Sequence, residues 1–117
     1  MNEYYNEFIL WLKGVIEDDP IPYEIKSLVF YLNKNNEMGF SGTEEKEVKV
    51  VDKFFYHPLE AQYFYCSNLY NKLFKLTDNE KLDVLKNLLV NLSDDDYFKK
   101  FNLYYGFLYN NAKKIKK

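Results

Sequence analysis

The chain contains no arginine, and all 16 of its basic residues are lysines. That removes the planar guanidinium fork that grips a phosphate or carboxylate with two parallel bonds, so any anion site here works through lysine point charges with less geometric selectivity. Cysteine is nearly absent: Cys66 stands alone, no intrachain disulfide is open to it, and a reducing compartment suits it. Histidine is as scarce, with His57 the sole example. No serine or aspartate lies at a recognisable motif spacing from His57, and a general base needs a positioned partner. The 4 glycines and 3 prolines leave no linker or low-complexity tract. G-x-G-x-x-G, G-x-x-x-x-G-K-[ST] and the EF-hand loop are missing, and Gly39 and Gly42 in GFSG build no phosphate cradle. No apolar run approaches a membrane span. The opening MNEYYNEF has an acid where a secretory leader carries basic residues, which points to the cytoplasm.

What is abundant is aromatic. Tyr, Phe and Trp make up 20% of the 117 residues, more than a core of one domain this size hides, so some rings belong at the surface. A hydrophobic share of 47% and a charged share of 29% argue for a folded chain that needs neither metal nor disulfide. The net charge of −2 argues against a phosphate-binding surface, and codon bias in an AT-rich genome accounts for the lysines.

Residues 26–43 hold the strongest strand signal. Leu28, Phe30 and Leu32 alternate with Val29 and Tyr31, Met38 and Phe40 resume the pattern, and Asn35-Asn36 supply turn chemistry between them. Four consecutive apolar residues, Leu28–Tyr31, predict a strand buried on both faces. Upstream, Tyr5, Phe8, Ile9, Leu12, Val15 and Ile16 form one stripe of a helix over 3–18, ended by Asp18-Asp19-Pro20, with Leu10 pointing away. Downstream, VKVVDKFFY favours a third extended segment over 48–56, although Val48, Val51 and Phe55 also fit a helix starting at Thr43, and Leu59, Tyr63, Cys66, Tyr70 and Leu73 predict a helix after Pro58. Thr77-Asp78-Asn79-Glu80 is a capping box before a helix that buries Leu82, Leu85, Leu88, Leu89 and Leu92. Phe98, Phe101, Tyr105, Leu108, Ala112 and Ile115 fit one helical stripe, but Gly106 and Asn110-Asn111 oppose a helix there. The favoured reading is a short helix over 94–101 and a strand over 103–109, with Asn110-Asn111 as a second turn and a solvated lysine tail. The expected class is α+β over a single domain, 1–117. It is a small antiparallel sheet, with the hairpin near 27–42 plus one or two further strands, packed on an N-terminal helix and two or three C-terminal helices. A mainly α fold is the alternative.

Chemistry-bearing residues yield little. Cys66, nine residues after His57, falls on a helical stripe and reads as a buried small hydrophobe. Asp94, Asp95 and Asp96 point around a helix axis rather than converging on a metal; they read as caps. No catalytic residue, cofactor or metal ligand is expected. The acidic run Glu44, Glu45 and Glu47, with Asp52, Tyr56 and Glu60, predicts a negatively charged, Tyr-rimmed surface for a basic protein partner. The same spare rings suit a homodimer seam, and no membrane contact is expected. The aromatic and lysine-rich ending suits a small nucleic-acid-binding regulator, the less favoured alternative.

The run FILWLKGVIEDDPIPYEIKSLVFYLNKNNEMGFSG, the acidic segment, the Leu-rich stretches and the ending YYGFLYNNAKKI together resemble small immunity-type proteins of bacterial toxin systems. The resemblance implies a non-enzymatic, acidic α+β inhibitor that binds a cognate toxin, often over its active site. It carries no individual residue across.

Overall fold

The computed structural model describes residues 2–48, 56–58, 68–107 and 110–115. The first helix, α1, spans Asn2–Asp18. Phe8, Leu12 and Val15 recur on one stripe and are buried, while Leu10 stays 72% exposed on the far side. The last turn closes through the Asp19 amide on the Val15 carbonyl, and Pro20, which has no N–H to donate, follows at once.

Strands β1 (Ser27–Leu32), β2 (Met38–Thr43), β3 (Asn102–Phe107) and β4 (Asn110–Lys114) form one sheet in the order β2-β1-β3-β4. The β1–β2 hairpin is antiparallel, with Phe30 opposite Phe40. Its turn rests on Asn33, whose side-chain oxygen accepts from the amides of Asn35 and Glu37, and on Asn36 at φ 63°. The fold is α+β, but the expectation of a wholly antiparallel sheet is corrected. β3 runs parallel to β1, with Phe30 opposite Tyr105. Parallel neighbours need a long crossover, and the helical stretch between β2 and β3 provides it.

One sheet face packs on the helices. Phe8 of α1 meets Phe30 at 5.7 Å, Phe30 stacks on Phe40 at 5.1 Å, and Trp11 meets Phe40 edge-on at 6.0 Å. The opposite face holds a smaller apolar group, Val29 and Tyr104, with Val48 and Ala112 against it. Every residue of β1 is therefore buried, as its unbroken apolar run predicts.

Helix α2 (Asn68–Leu73) begins where Glu7 of α1 accepts from the amides of Asn68 and Leu69. Helix α3 (Asp78–Leu92) opens on the expected capping box, with Thr77 accepting from the Glu80 amide and Glu80 from the Thr77 amide. Its Leu85, Leu88, Leu89 and Leu92 are buried. The helix expected over 94–101 reduces to a single 3-10 turn, Phe98–Lys100, because Asp95 spends its carboxylate on the amides of Tyr97 and Phe98.

β4 also departs from expectation. Asn110-Asn111 open a strand instead of making a turn, and Lys113 and Lys114, whose side chains stay exposed, pair with Tyr105 and Tyr104 in the ladder. Burial of Ile115 accounts for this, since it anchors the end of the strand in the main core. Most of the third extended segment and of the helix after Pro58 falls outside the described residues. Tyr56, at the segment's end, bridges Gly42 on β2.

Candidate interaction surface

The expected acidic run and two exposed rings meet at one end of the sheet, where β1 and β3 start and β2 finishes. There the Lys26 amide donates to the Thr43 carbonyl at 2.9 Å, and the Asn102 amide donates to the Lys26 carbonyl at 3.0 Å. Three strands are thus joined at the level of Lys26.

Residues 44–48 cross the open face of the sheet as a strap. The buried Ser27 hydroxyl lies 2.6 Å from the Glu45 carbonyl and 2.9 Å from the Lys46 carbonyl. The Asn102 side chain donates to Lys46 at 2.9 Å, and the Val48 amide donates to the Tyr104 hydroxyl at 3.1 Å. Tyr104 in turn donates to Glu47 at 3.2 Å, and Lys114 donates to the other Glu47 oxygen at 2.8 Å. That hydrogen bond raises the Lys114 pKa, because it favours the charged ammonium. Burial is the first cause of the raised Tyr104 pKa, with the neighbouring Glu47 adding to it.

The expected acidic residues therefore divide. Glu44 faces solvent, while Glu45 is half-buried with its Oε1 enclosed and lacking a hydrogen-bond partner. Glu47 is exposed yet matched by Lys114. Asp52 and Glu60 lie outside the described residues. The expectation of Tyr56 as a surface ring is corrected: it is 4% exposed, packs 5.9 Å from Phe40 and donates its hydroxyl to the Asp19 carbonyl. A β-bridge to Gly42 turns its ring into the core rather than outward.

Besides Phe74, 59% exposed just after α2, the exposed rings among the described residues are Tyr23 and Tyr97, at 88% and 40%. They flank a groove of about 230 Å³ lined by Ile21, Pro22, Ile25, Phe101 and the ammonium-bearing Lys26 and Lys100. Lys100 stands 4.4 Å from the Tyr97 ring centroid and 5.2 Å from that of Phe101, so its charge is held against the rings. On its other side Tyr97 borders a shallower apolar hollow of about 200 Å³ with Lys13, Ile16 and Phe98. Tyr97 is thus a ridge between two hollows, and partial burial raises its phenol pKa. Neither tyrosine was singled out by the sequence. A usable signal existed in each: Tyr23 sits between Pro22 and Glu24, off any strand or helix period, and Tyr97 precedes the buried Phe98 and Phe101 without sharing their stripe.

His57 is exposed, and its Nδ1 lies 2.9 Å from the Ser41 hydroxyl, a partner the linear spacing had hidden. Ser41 is fully buried in β2, so the pair presents no reachable hydroxyl to a substrate. Cys66 lies outside the described residues. Among the described residues, no three His, Cys, Asp or Glu side chains gather as a metal site, and no helix is long and apolar enough to cross a membrane. No family model, curated protein or solved structure matches the chain.

Proposed function

We propose that this chain is a non-enzymatic, protein-binding inhibitor of the immunity type, acting in the cytoplasm and occluding a partner protein, a bacterial toxin being the expected one. The single observation that carries the reading is the meeting of spare rings and carboxylates at one end of the sheet. Tyr23 and Tyr97 flank the groove that Ile21, Ile25 and Phe101 share with Lys26 and Lys100, Tyr97 also borders an apolar hollow, and the strap that bears Glu44 and Glu47 crosses the same end. Exposed tyrosine beside an apolar hollow is the chemistry of an interface anchor, since it offers a large area at low rotamer cost. Carboxylates at the rim steer a basic partner and speed encounter.

The test pairs the purified chain with the product of a toxin-like gene adjacent to its own. A complex on gel filtration and relief of toxicity in co-expressing cells are expected, with Tyr23→Ala and Tyr97→Ala each weakening the complex by about tenfold or more. Absence of any toxin-like neighbour, or a complex indifferent to both substitutions, removes the reading. Sedimentation of the chain alone separates it from self-association through the same rings.

A further inference from the structure

A second groove lies between α3 and the edge strand β4, touching the strap only through Lys114, which stands 2.8 Å from Glu47. It measures about 560 Å³ and is lined by Lys86 and Val90 of α3, Tyr105 of β3, Lys113 and Lys114 of β4, and Ile115. Three of its six lining residues carry ammonium groups and none carries a carboxylate. Lys114 is matched by Glu47, but among the described residues no carboxylate stands within ion-pair distance of Lys86 or Lys113. The floor is aliphatic: Val90 is 41% exposed, a large hydrophobe left facing the groove from a helix whose Leu85, Leu88, Leu89 and Leu92 are buried.

We infer that this groove is a binding site for an acidic, aliphatic segment of a partner protein. Two charges without a carboxylate, set on either side of an aliphatic floor, match glutamate or aspartate flanking leucine-like side chains. The groove favours a peptide over a nucleic acid. Its one ring, Tyr105, is 8% exposed and gives bases no face to stack on. Its half-open shape between a helix and a strand edge suits a segment laid along it better than an enclosed small ligand. The inference stands apart from the proposed function: the hollows beside Tyr23 and Tyr97 share no lining residue with this groove, and Lys114, bonded to Glu47 of the strap, is not one of the two lysines on which it rests.

The experiment titrates the chain against a fluorescein-labelled peptide with glutamates and leucines on one helical face, read by anisotropy, with oligouridylate and phosphatidylglycerol vesicles as rival anions. Saturable binding to the peptide is expected, weakened about tenfold or more by the double variant Lys86→Glu with Lys113→Glu, because each lysine becomes a repelling charge. Val90→Asp, which charges the floor, gives a similar loss, and Tyr23→Ala changes nothing. Amide chemical shifts move in 86–90 and 113–115. No peptide binding, binding unaffected by the double variant, or tighter binding to oligouridylate or to the vesicles overturns the inference.

Discussion

The Tyr56 hydroxyl donates a 2.6 Å hydrogen bond to the Asp19 backbone carbonyl, which ties the residue bridging Gly42 to the end of α1. The bond uses the neutral phenol, and burial, with the negative Asp19 close by, pushes the Tyr56 pKa far above its ordinary value. Tyr56→Phe removes the donor and leaves the carbonyl short of a partner, so unfolding free energy falls by about 1 kcal/mol.

The same residue sets an alkaline limit. A phenol whose folded-state pKa exceeds its unfolded one contributes stability that is fully present below about pH 10 and is lost as pH rises beyond it. Tyr5, Tyr97 and Tyr104 are raised in the same direction by burial, and Lys114 by its bond to Glu47. Urea midpoints measured across the alkaline range should therefore drop steeply above about pH 10. Tyr56→Phe should show a shallower drop, and an equal slope in both proteins would remove Tyr56 as the cause.

Gly42 has no room for a methyl group. A Cβ there meets Ile25 Cγ2 at 2.9 Å, Tyr56 Cδ2 at 3.2 Å and Leu28 Cδ2 at 3.3 Å. Ile25 is β-branched and buried, and Leu28 is fully buried, so neither yields easily. Gly42→Ala is expected to cost about 1–3 kcal/mol by overpacking. Thermal unfolding checks this; a melting temperature equal to that of the parent would mean that the neighbours repack freely.

Periodicity made the secondary structure largely legible and the strand partners only partly so. The stripe Phe8, Leu12 and Val15, the capping box at Thr77 and the double-sided run Leu28–Tyr31 are local signals, and each matches its element. The parallel pairing of β1 with β3 is a tertiary choice that no neighbouring residue encodes. β4 escaped notice because NNAKK has little β propensity; its strand character comes from pairing with Tyr104 and Tyr105 and from the anchor at Ile115. At the candidate surface, the carboxylates were visible as a charge run, whereas Tyr23 and Tyr97 became distinct from the other rings only once the core had taken its share.

Asn36 is the one described non-glycine residue with positive φ, at 63°, and it is buried in the hairpin turn. Asparagine tolerates that region and alanine does so poorly, so Asn36→Ala is expected to cost about 1 kcal/mol or slightly more. Asn36→Gly should be close to neutral, since glycine meets the angle without a Cβ. Chemical denaturation of the two variants side by side decides it. Equal losses would place the cost in the side chain's contacts and not in the backbone angle.

The strap over residues 44–48 has two fastenings of unequal strength, and they predict different outcomes. Glu47 and Lys114 meet at the surface with both side chains well exposed, so Glu47→Gln should change stability by less than about 1 kcal/mol, and less still at high salt. Ser27 is fully buried beneath the strap, and its hydroxyl is the donor toward two main-chain carbonyls. Ser27→Ala leaves the Glu45 carbonyl under-satisfied, while the Lys46 carbonyl keeps the Asn102 side chain, and should cost about 1–2 kcal/mol. The loss falls on the strap first, because the ladder bonds of β1 do not use the hydroxyl. Limited proteolysis at Lys46 should therefore accelerate in Ser27→Ala well before the global unfolding midpoint moves, and only slightly in Glu47→Gln. Equal cleavage rates in the two variants would shift the fastening from the buried hydroxyl to the surface ion pair.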